Sequence, residues 1–387
     1  MNSKKLRLSL ILTLLGLSSY VMAQDATTEE ETKPTFNISG SIDTYIHTSM
    51  GATEPTYGNS GPSTSFANLK GFSLGMANLI ASYQGDKTGF TADLVFGPRG
   101  RDAVFAASYT DQRIINQLFA YIKLSDAVTL NIGQFNTFVG FEVISPAVNP
   151  NYSTSYLFSN GPFNHTGVRA DFSFGDGLVA KLAIMNPTDI VEFNPVNTFT
   201  LGGQIGKTTD GGGVWLNLLY GDQDGKLDED TMGPDDFSNG SLFQADVTAG
   251  FTISESFYLG ANFSYQTIGE GEVSIGDDIE DAGNDASSFM GFAVYPKFTL
   301  SDAFALAIRA EYFSSTKFHP LAAPIGIDDE GDGNVIALTL SGNIKAGPLM
   351  FIPELRYDKT SEDYFEKKDG EATDSIISAT LAAVYKF

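Results

Sequence analysis

The chain has no cysteine, one tryptophan and three histidines among its 387 residues. Without cysteine there is no disulfide and no thiolate metal or redox site, which fits an exported protein without proving export. After the N-terminal region no stretch approaches the 18 or so consecutive apolar residues of a membrane-spanning helix. The chain is therefore either soluble or a transmembrane barrel. Basic residues are also scarce. There are 23 Lys and Arg against 47 Asp and Glu, a formal charge of −24. Such a charge argues against nucleic acid or anionic lipid headgroups as direct partners.

The first residues read as a signal peptide. Lys4, Lys5 and Arg7 precede a short apolar core, Leu8 to Leu17, and Val21-Met22-Ala23 is a small-residue cleavage site. Cleavage after Ala23 would leave 20 basic and 47 acidic residues, a charge of −27. Residues 24–35 are polar, acidic and aperiodic, and read as a flexible leader. From Phe36 onward no linker interrupts the chain, so residues 36–387 form one domain.

What that domain does contain is alternation. In the last segment Ile377, Ala379, Leu381, Ala383, Tyr385 and Phe387 share one face, while Ser378, Thr380, Ala382 and Lys386 share the other with Ile376 and Val384 as apolar intruders. Sixteen such segments can be walked along the sequence. Their connections are short after even-numbered segments and long after odd-numbered ones, as at 49–71, 98–113, 136–162, 222–241 and 269–287. Short turns alternating with long loops mark outer-membrane barrels. The expected fold is all-β: a transmembrane antiparallel up-and-down β-barrel of about 16 strands, with both termini in the periplasm and a terminal aromatic (Tyr385, Phe387) serving as assembly signal for the barrel-assembly machinery. A periplasmic β-sandwich would not explain that rhythm.

The central segment carries a resemblance. GQFNTFVGFE (133–142), NPNYSTSYLF (149–158), GPFNHTGVRADFSF (161–174) and LAIMNPTD (182–189) resemble the OmpL-like β-barrel porins of Gram-negative bacteria, and SGSIDTYIHT (39–48) agrees loosely. The resemblance implies an outer-membrane porin. It supplies no solute and no residue-level site.

A barrel of about 16 strands encloses water, so its polar face should line a lumen. The charged or ionisable candidates on that face are Asp43, His47, Asp93, Lys123, Arg169, Asp171, Lys181, Asp246, Lys297, Arg309, Glu311, Glu354, Arg356 and Asp358. Neighbours two apart, such as Arg309/Glu311 and Glu354/Arg356, are expected mainly to solvate and brace the wall, and the sharper alternative is a transverse field across the pore. The third external connection, 136–162, is the longest and fits a loop folded into the lumen. It carries Glu142 with Phe138, Phe141, Tyr152, Tyr156 and Phe158 and no basic residue, which suits neutral solutes or cations. The alternative is a loop packed over the mouth.

The outer connections 222–241, 269–287 and 314–333 are acidic, with Asp222, Asp224, Glu270, Glu272 and Asp328 among their carboxylates. They should repel anions and concentrate cations, against a phosphate-selective pore, which would use rings of Arg and Lys. The run DQDGKLDED (222–230) lacks EF-hand spacing and carries Lys226 where an oxygen ligand is needed. A solvated rim, loosely bridged by divalent ions to lipopolysaccharide, is the simpler reading. No G-x-S-x-G or H-E-x-x-H occurs, and His165 beside Asn164 and Thr166 reads as a hydrogen-bonding anchor for the third loop.

The expectation is a porin for passive diffusion of small hydrophilic solutes with mild cation preference. It has no catalytic, cofactor or metal site, lies among outer-membrane lipid and lipopolysaccharide, binds no nucleic acid, and has the barrel size at which homotrimers are common. The alternative is a sealed structural or adhesive barrel.

Overall fold

A computed structural model describes residues 34–53, 63–104, 114–227, 236–275, 278–320 and 325–387. The expected signal peptide, most of the leader, and the acidic residues Asp228, Glu229, Asp230, Asp235 and Asp277 lie outside the described residues.

Period-2 alternation is realised as one closed antiparallel barrel in which each strand pairs with its sequence neighbours and the last pairs with the first. The strands are β1 (Thr35–Met50), β2 (Gly71–Gln84), β3 (Thr88–Phe96), β4 (Ile115–Ser125), β5 (Val128–Asn136), β6 (Asn164–Ser173), β7 (Leu178–Met185) and β8 (Thr200–Thr209). They continue as β9 (Gly212–Gly221), β10 (Leu242–Ser254), β11 (Phe257–Ile268), β12 (Ser287–Thr299), β13 (Phe304–Thr316), β14 (Gly333–Ala346), β15 (Leu349–Thr360) and β16 (Ser375–Lys386). Short turns such as 85–87, 126–127 and 255–256 close one end, and the long connections lie at the other.

Closure uses the final residue. The N–H of Gly40 donates to the carbonyl of Phe387 at 3.1 Å, and the N–H of Phe387 donates back to Gly40 at 3.1 Å. Ile42 and Ile46 of β1 then stand opposite Tyr385 and Leu381 of β16. A closed ladder leaves no unpaired edge, the requirement for strands in hydrocarbon.

The outer face is apolar and exposed. Ile38, Phe72, Leu182, Leu201, Ile336 and Leu381 are among its residues, and this is the lipid-facing band of such barrels. The inner face departs from a simple water-lined wall. Ile376 and Val384, the apolar intruders of the last strand, are each 1% exposed, in two separate clusters. Val384 packs with Tyr45, Ala67, Tyr152, Ile352 and Ala382. Inward residues of β12 to β14, including Phe289, Tyr295, Phe313 and Val335, form another cluster with Tyr156 and Leu157 of the third connection. The barrel thus has an interior packed by its own loop.

Candidate functional site: the loop-filled lumen

The third connection, 137–163, leaves the top of β5, enters the barrel and returns at β6. His165 anchors its start, with Nε2 2.9 Å from Thr137 Oγ1, as expected for that histidine. Phe138, Val139 and Phe135 then pack with Met185, Leu219, Leu242 and Ile268. Farther along, Phe141 stacks on Tyr295 with ring centroids 4.3 Å apart.

Glycines on the wall make room for this packing. A Cβ at Gly260 would stand 2.3 Å from Cζ of Phe141, and one at Gly291 would stand 2.7 Å from Cδ2 of Leu157. Neither strand position could carry a side chain without moving the loop.

Three wall carboxylates accept backbone N–H groups of the loop, while the Asn262 amide oxygen accepts from Phe141 at 3.3 Å and Gln204 and Asn343 donate to the carbonyls of Phe138 and Pro150 at 3.1 Å each. Asp246 accepts from Gly140 at 3.1 Å. Glu354 accepts from Tyr152 at 2.7 Å and Ser153 at 3.1 Å. Glu311 accepts from Tyr156 at 3.0 Å and Leu157 at 2.8 Å. These last two are first-turn donors of the short helix α2 (Tyr156–Asn160), which would otherwise lack partners. Ser155 completes the cap by accepting from Phe158 at 2.9 Å. An irregular segment inside a barrel must satisfy its backbone somehow, and Asp246, Glu311 and Glu354 accept five of its N–H groups.

The basic residues have partners different from those the sequence suggested. Arg309 does not pair with Glu311 beside it. Its Nη1 donates to Glu142 at 2.9 Å, with both side chains fully buried, and also to the carbonyl of Ser153 at 2.6 Å. Arg356 pairs with Asp358 at 2.7 Å rather than with Glu354, and donates to the Thr154 carbonyl at 2.8 Å. Arg169 pairs with Asp171 at 2.8 Å. Lys181 is buried and donates to Gln204. The expectation that Arg309/Glu311 and Glu354/Arg356 brace the wall as neighbours is therefore corrected. Each of the four instead holds the loop, because inserting its backbone into the barrel creates a stronger demand for partners than wall solvation does.

Glu142 is likewise corrected. It is not a free acidic group at the constriction but the partner of Arg309, and its second oxygen accepts from the Ser155 N–H at 2.8 Å. Phe138, Tyr152 and Tyr156 are at most 4% exposed, and Phe141 is half-buried. They pack against the wall and do not present open faces to passing solutes.

Residues outside the expected set complete the arrangement. Arg99, on the short helix α1 (Pro98–Ala103), reaches Asp43 at 3.9 Å. It donates to the carbonyls of Ile144 at 3.2 Å and Tyr152 at 2.9 Å, and its guanidinium lies over the Tyr152 ring at 4.8 Å. The Tyr152 hydroxyl donates to Asp43 at 2.6 Å. Burial holds the Tyr152 and Tyr156 hydroxyls well above their ordinary pKa. No sequence signal marked Arg99: its role depends on residues 98–104 packing inward. At the loop's exit, Asp189 accepts from the N–H groups of Phe163 and Asn164, both at 2.8 Å.

The filling extends around the whole circumference. Each of the sixteen strands contributes an inward side chain no more than 8% exposed, from Asp43 on β1 through Asn131, Asn217 and Arg309 to Thr380 on β16. Between loop and wall is a gap of about 10 Å³, lined by Val139, Gly140, Leu157 and Phe158 on one side and Gln244, Asp246, Asn262 and Ser264 on the other. That is room for about one water molecule.

A closed sixteen-strand barrel with an apolar belt, alternating short and long connections and an inserted third loop defines the porin class of outer-membrane channels. The chain belongs to the family described as "Putative beta-barrel porin-2, OmpL-like", whose model matches residues 35–387. No curated protein shows significant sequence similarity to it. Solved structures similar in fold include outer-membrane channels and porins and a further outer-membrane protein. The channel DcaP of Acinetobacter baumannii has a TM-score of 0.57 at 13% identity, covering 94% of this chain and 100% of that one. The anion-selective porin of Comamonas acidovorans has a TM-score of 0.58 at 10% identity, covering 92% and 100%. OmpT of Vibrio cholerae has a TM-score of 0.54 at 14% identity, covering 94% and 100%. Identities this low speak for the fold alone.

Proposed function

We propose that this porin passes small hydrophilic solutes by passive diffusion, and that the 137–163 loop is its constriction. The observation that carries the reading is the loop seated inside the barrel on wall carboxylates of β10, β13 and β15. Solutes that cross must pass the loop, so size exclusion and the field at that level set the permeability. The acidic outer connections, with Asp222, Asp224 and Glu270 among the described residues, support a cation-enriched mouth. OmpT is known in a trimer form, and a homotrimer is the assembly we propose here.

The belt of buried inward residues favours one second reading, a sealed structural barrel in which the loop is a permanent plug. Single-channel recording from folded, heat-modifiable protein separates the two. Stepwise conductance establishes the porin, and its absence establishes the plug.

A further inference from the structure

The outer connections are acidic, but the wall at the short-turn end of the barrel is not. Inward positions there carry Lys123 on β4, Lys297 on β12, Lys345 on β14 and Lys386 on β16. Lys123, Lys345 and Lys386 are exposed, and Lys297 is half-buried. Among the described residues no carboxylate lies within the 4.0 Å of an ion pair from any of the four amines. The neighbouring inward charges are the ion pair of Arg169 with Asp171, and Lys181, which stands opposite Asp171 and donates to Gln204. Asp86, Asp126, Asp176, Asp210, Glu255 and Asp302 sit in the turns at the rim, outside the strands.

Lys297 and Lys345 are two strands apart. Between them β13 presents only Ala305 and Ala307, which stand opposite Thr299 and Lys297. Two strand spacings are about 10 Å, and Lys345 lies four residues nearer the turns than Ser341, the residue reached across the ladder from Lys297 through Ala307, so small side chains separate the two amines along a diagonal of the wall. On the other side of Lys297, Tyr258 of β11 stands directly opposite it in the ladder. Lys359 and Lys367 at the other end are matched to Asp374 and Glu371, whereas Lys181 and Lys207 donate to the Gln204 amide oxygen and the Asp176 carbonyl. Unmatched amines on a concave wall focus a positive potential and concentrate anions there.

We propose that this end of the lumen is an anion-attracting vestibule, centred on Lys297 and Lys345 and extended by Lys123 and Lys386, that draws in small solutes bearing carboxylate or phosphate groups. The inference rests on the porin reading and refines it. An acidic outer mouth in series with a basic inner vestibule makes the pore bipolar along its axis. Such a pore conducts better for one direction of applied voltage. Selectivity then depends on the side from which a solute arrives.

The absence of native cysteine gives a direct test. Thr299→Cys places a thiol at the exposed inner end of β12, opposite Ala305 and two residues from Lys297. The folded full-length protein in neutral detergent is reacted with an anionic sulfonatoethyl and a cationic trimethylammonioethyl methanethiosulfonate, each rate divided by that for a free thiol. The anionic reagent should react faster on the order of tenfold at low salt. That ratio should fall toward one in 1 M salt, where screening acts over about 3 Å. Adding Lys297→Gln and Lys345→Gln, with heat-modifiability confirming the fold, should lower it several-fold. Equal rates, a faster cationic reagent, or a ratio unmoved by the two glutamines would overturn the proposal. This readout needs no open pore, so a barrel without conductance would sink the porin reading while leaving the vestibule decided on its own. If steps are seen, an asymmetric current–voltage curve that becomes symmetric in the double variant is the matching electrical result.

Discussion

Arg309 and Glu142 form an ion pair with no exposed surface, between a wall strand and the inserted loop. Removing one member of a buried pair strands the other charge, at a cost of about 3–5 kcal/mol. Arg309→Ala should therefore release the loop: we expect faster proteolysis within 137–163 and a larger conductance step, with the barrel still heat-modifiable. An unchanged cleavage rate would show that the pair does not retain the loop. On the sequence alone Glu142 is the acidic residue of a loop suited to neutral solutes or cations. With its charge matched by Arg309, the expected effect of Glu142→Gln is loop release as well. Asp189 offers a titratable anchor outside the strands. The residue as a whole is half-buried, but its carboxyl group is enclosed, and burial pushes its pKa up from 3.8 to about 7, only partly offset by the two N–H donors. The fold thus favours the protonated form. Its stabilising contribution is complete below about pH 3.8 and is lost as pH rises through about 7. Hydrogen exchange at Phe163 and Asn164, corrected for intrinsic rate, should accelerate between pH 5 and 8 in the native protein and stay flat in Asp189→Asn. Equal profiles would exclude this titration.

At the scale of elements, strands and loop are coupled through glycine sockets. Gly260→Leu would occupy the place of Phe141, and overpacking of this kind costs about 1–3 kcal/mol. The variant should assemble at near-normal yield yet expose the loop to protease, and full protection would mean that Phe141 is not seated there. Leu130→Pro should instead block assembly, because β5 is bonded on both sides, to β4 and β6, and proline removes a ladder donor; normal outer-membrane yield would contradict it. The strands were legible because alternation has a period of two residues and every lipid-facing position must be apolar. The loop's seat was not, because its partners lie up to some two hundred residues away, as Tyr152 and Glu354 do. A signal was present but unread. Phe289, Tyr295, Phe313, Ile376 and Val384 are apolar residues on the face that should meet water, and each marks a contact with an inserted or overlying segment. His165 was legible because its motif neighbours restricted its role to hydrogen bonding, whereas Arg99 gave no local cue.

For the whole molecule, the seam between β1 and β16 runs from Met50 opposite Ile377 to Ser41 opposite Lys386. Phe387 supplies two backbone hydrogen bonds to Gly40, and its aromatic ring continues the lipid-facing line of Tyr385 and Leu381. Deleting it should cut outer-membrane yield several-fold, and unaltered yield would remove it as the assembly signal. We propose that this barrel is a pore whose bore is set by the loop inside it. Single-channel recording in a planar bilayer, comparing the native protein with Arg309→Ala, tests that claim most directly. We expect small stepwise conductance in the native protein and steps several-fold larger in the variant. Silence from both folded proteins would contradict it and make the barrel a sealed one.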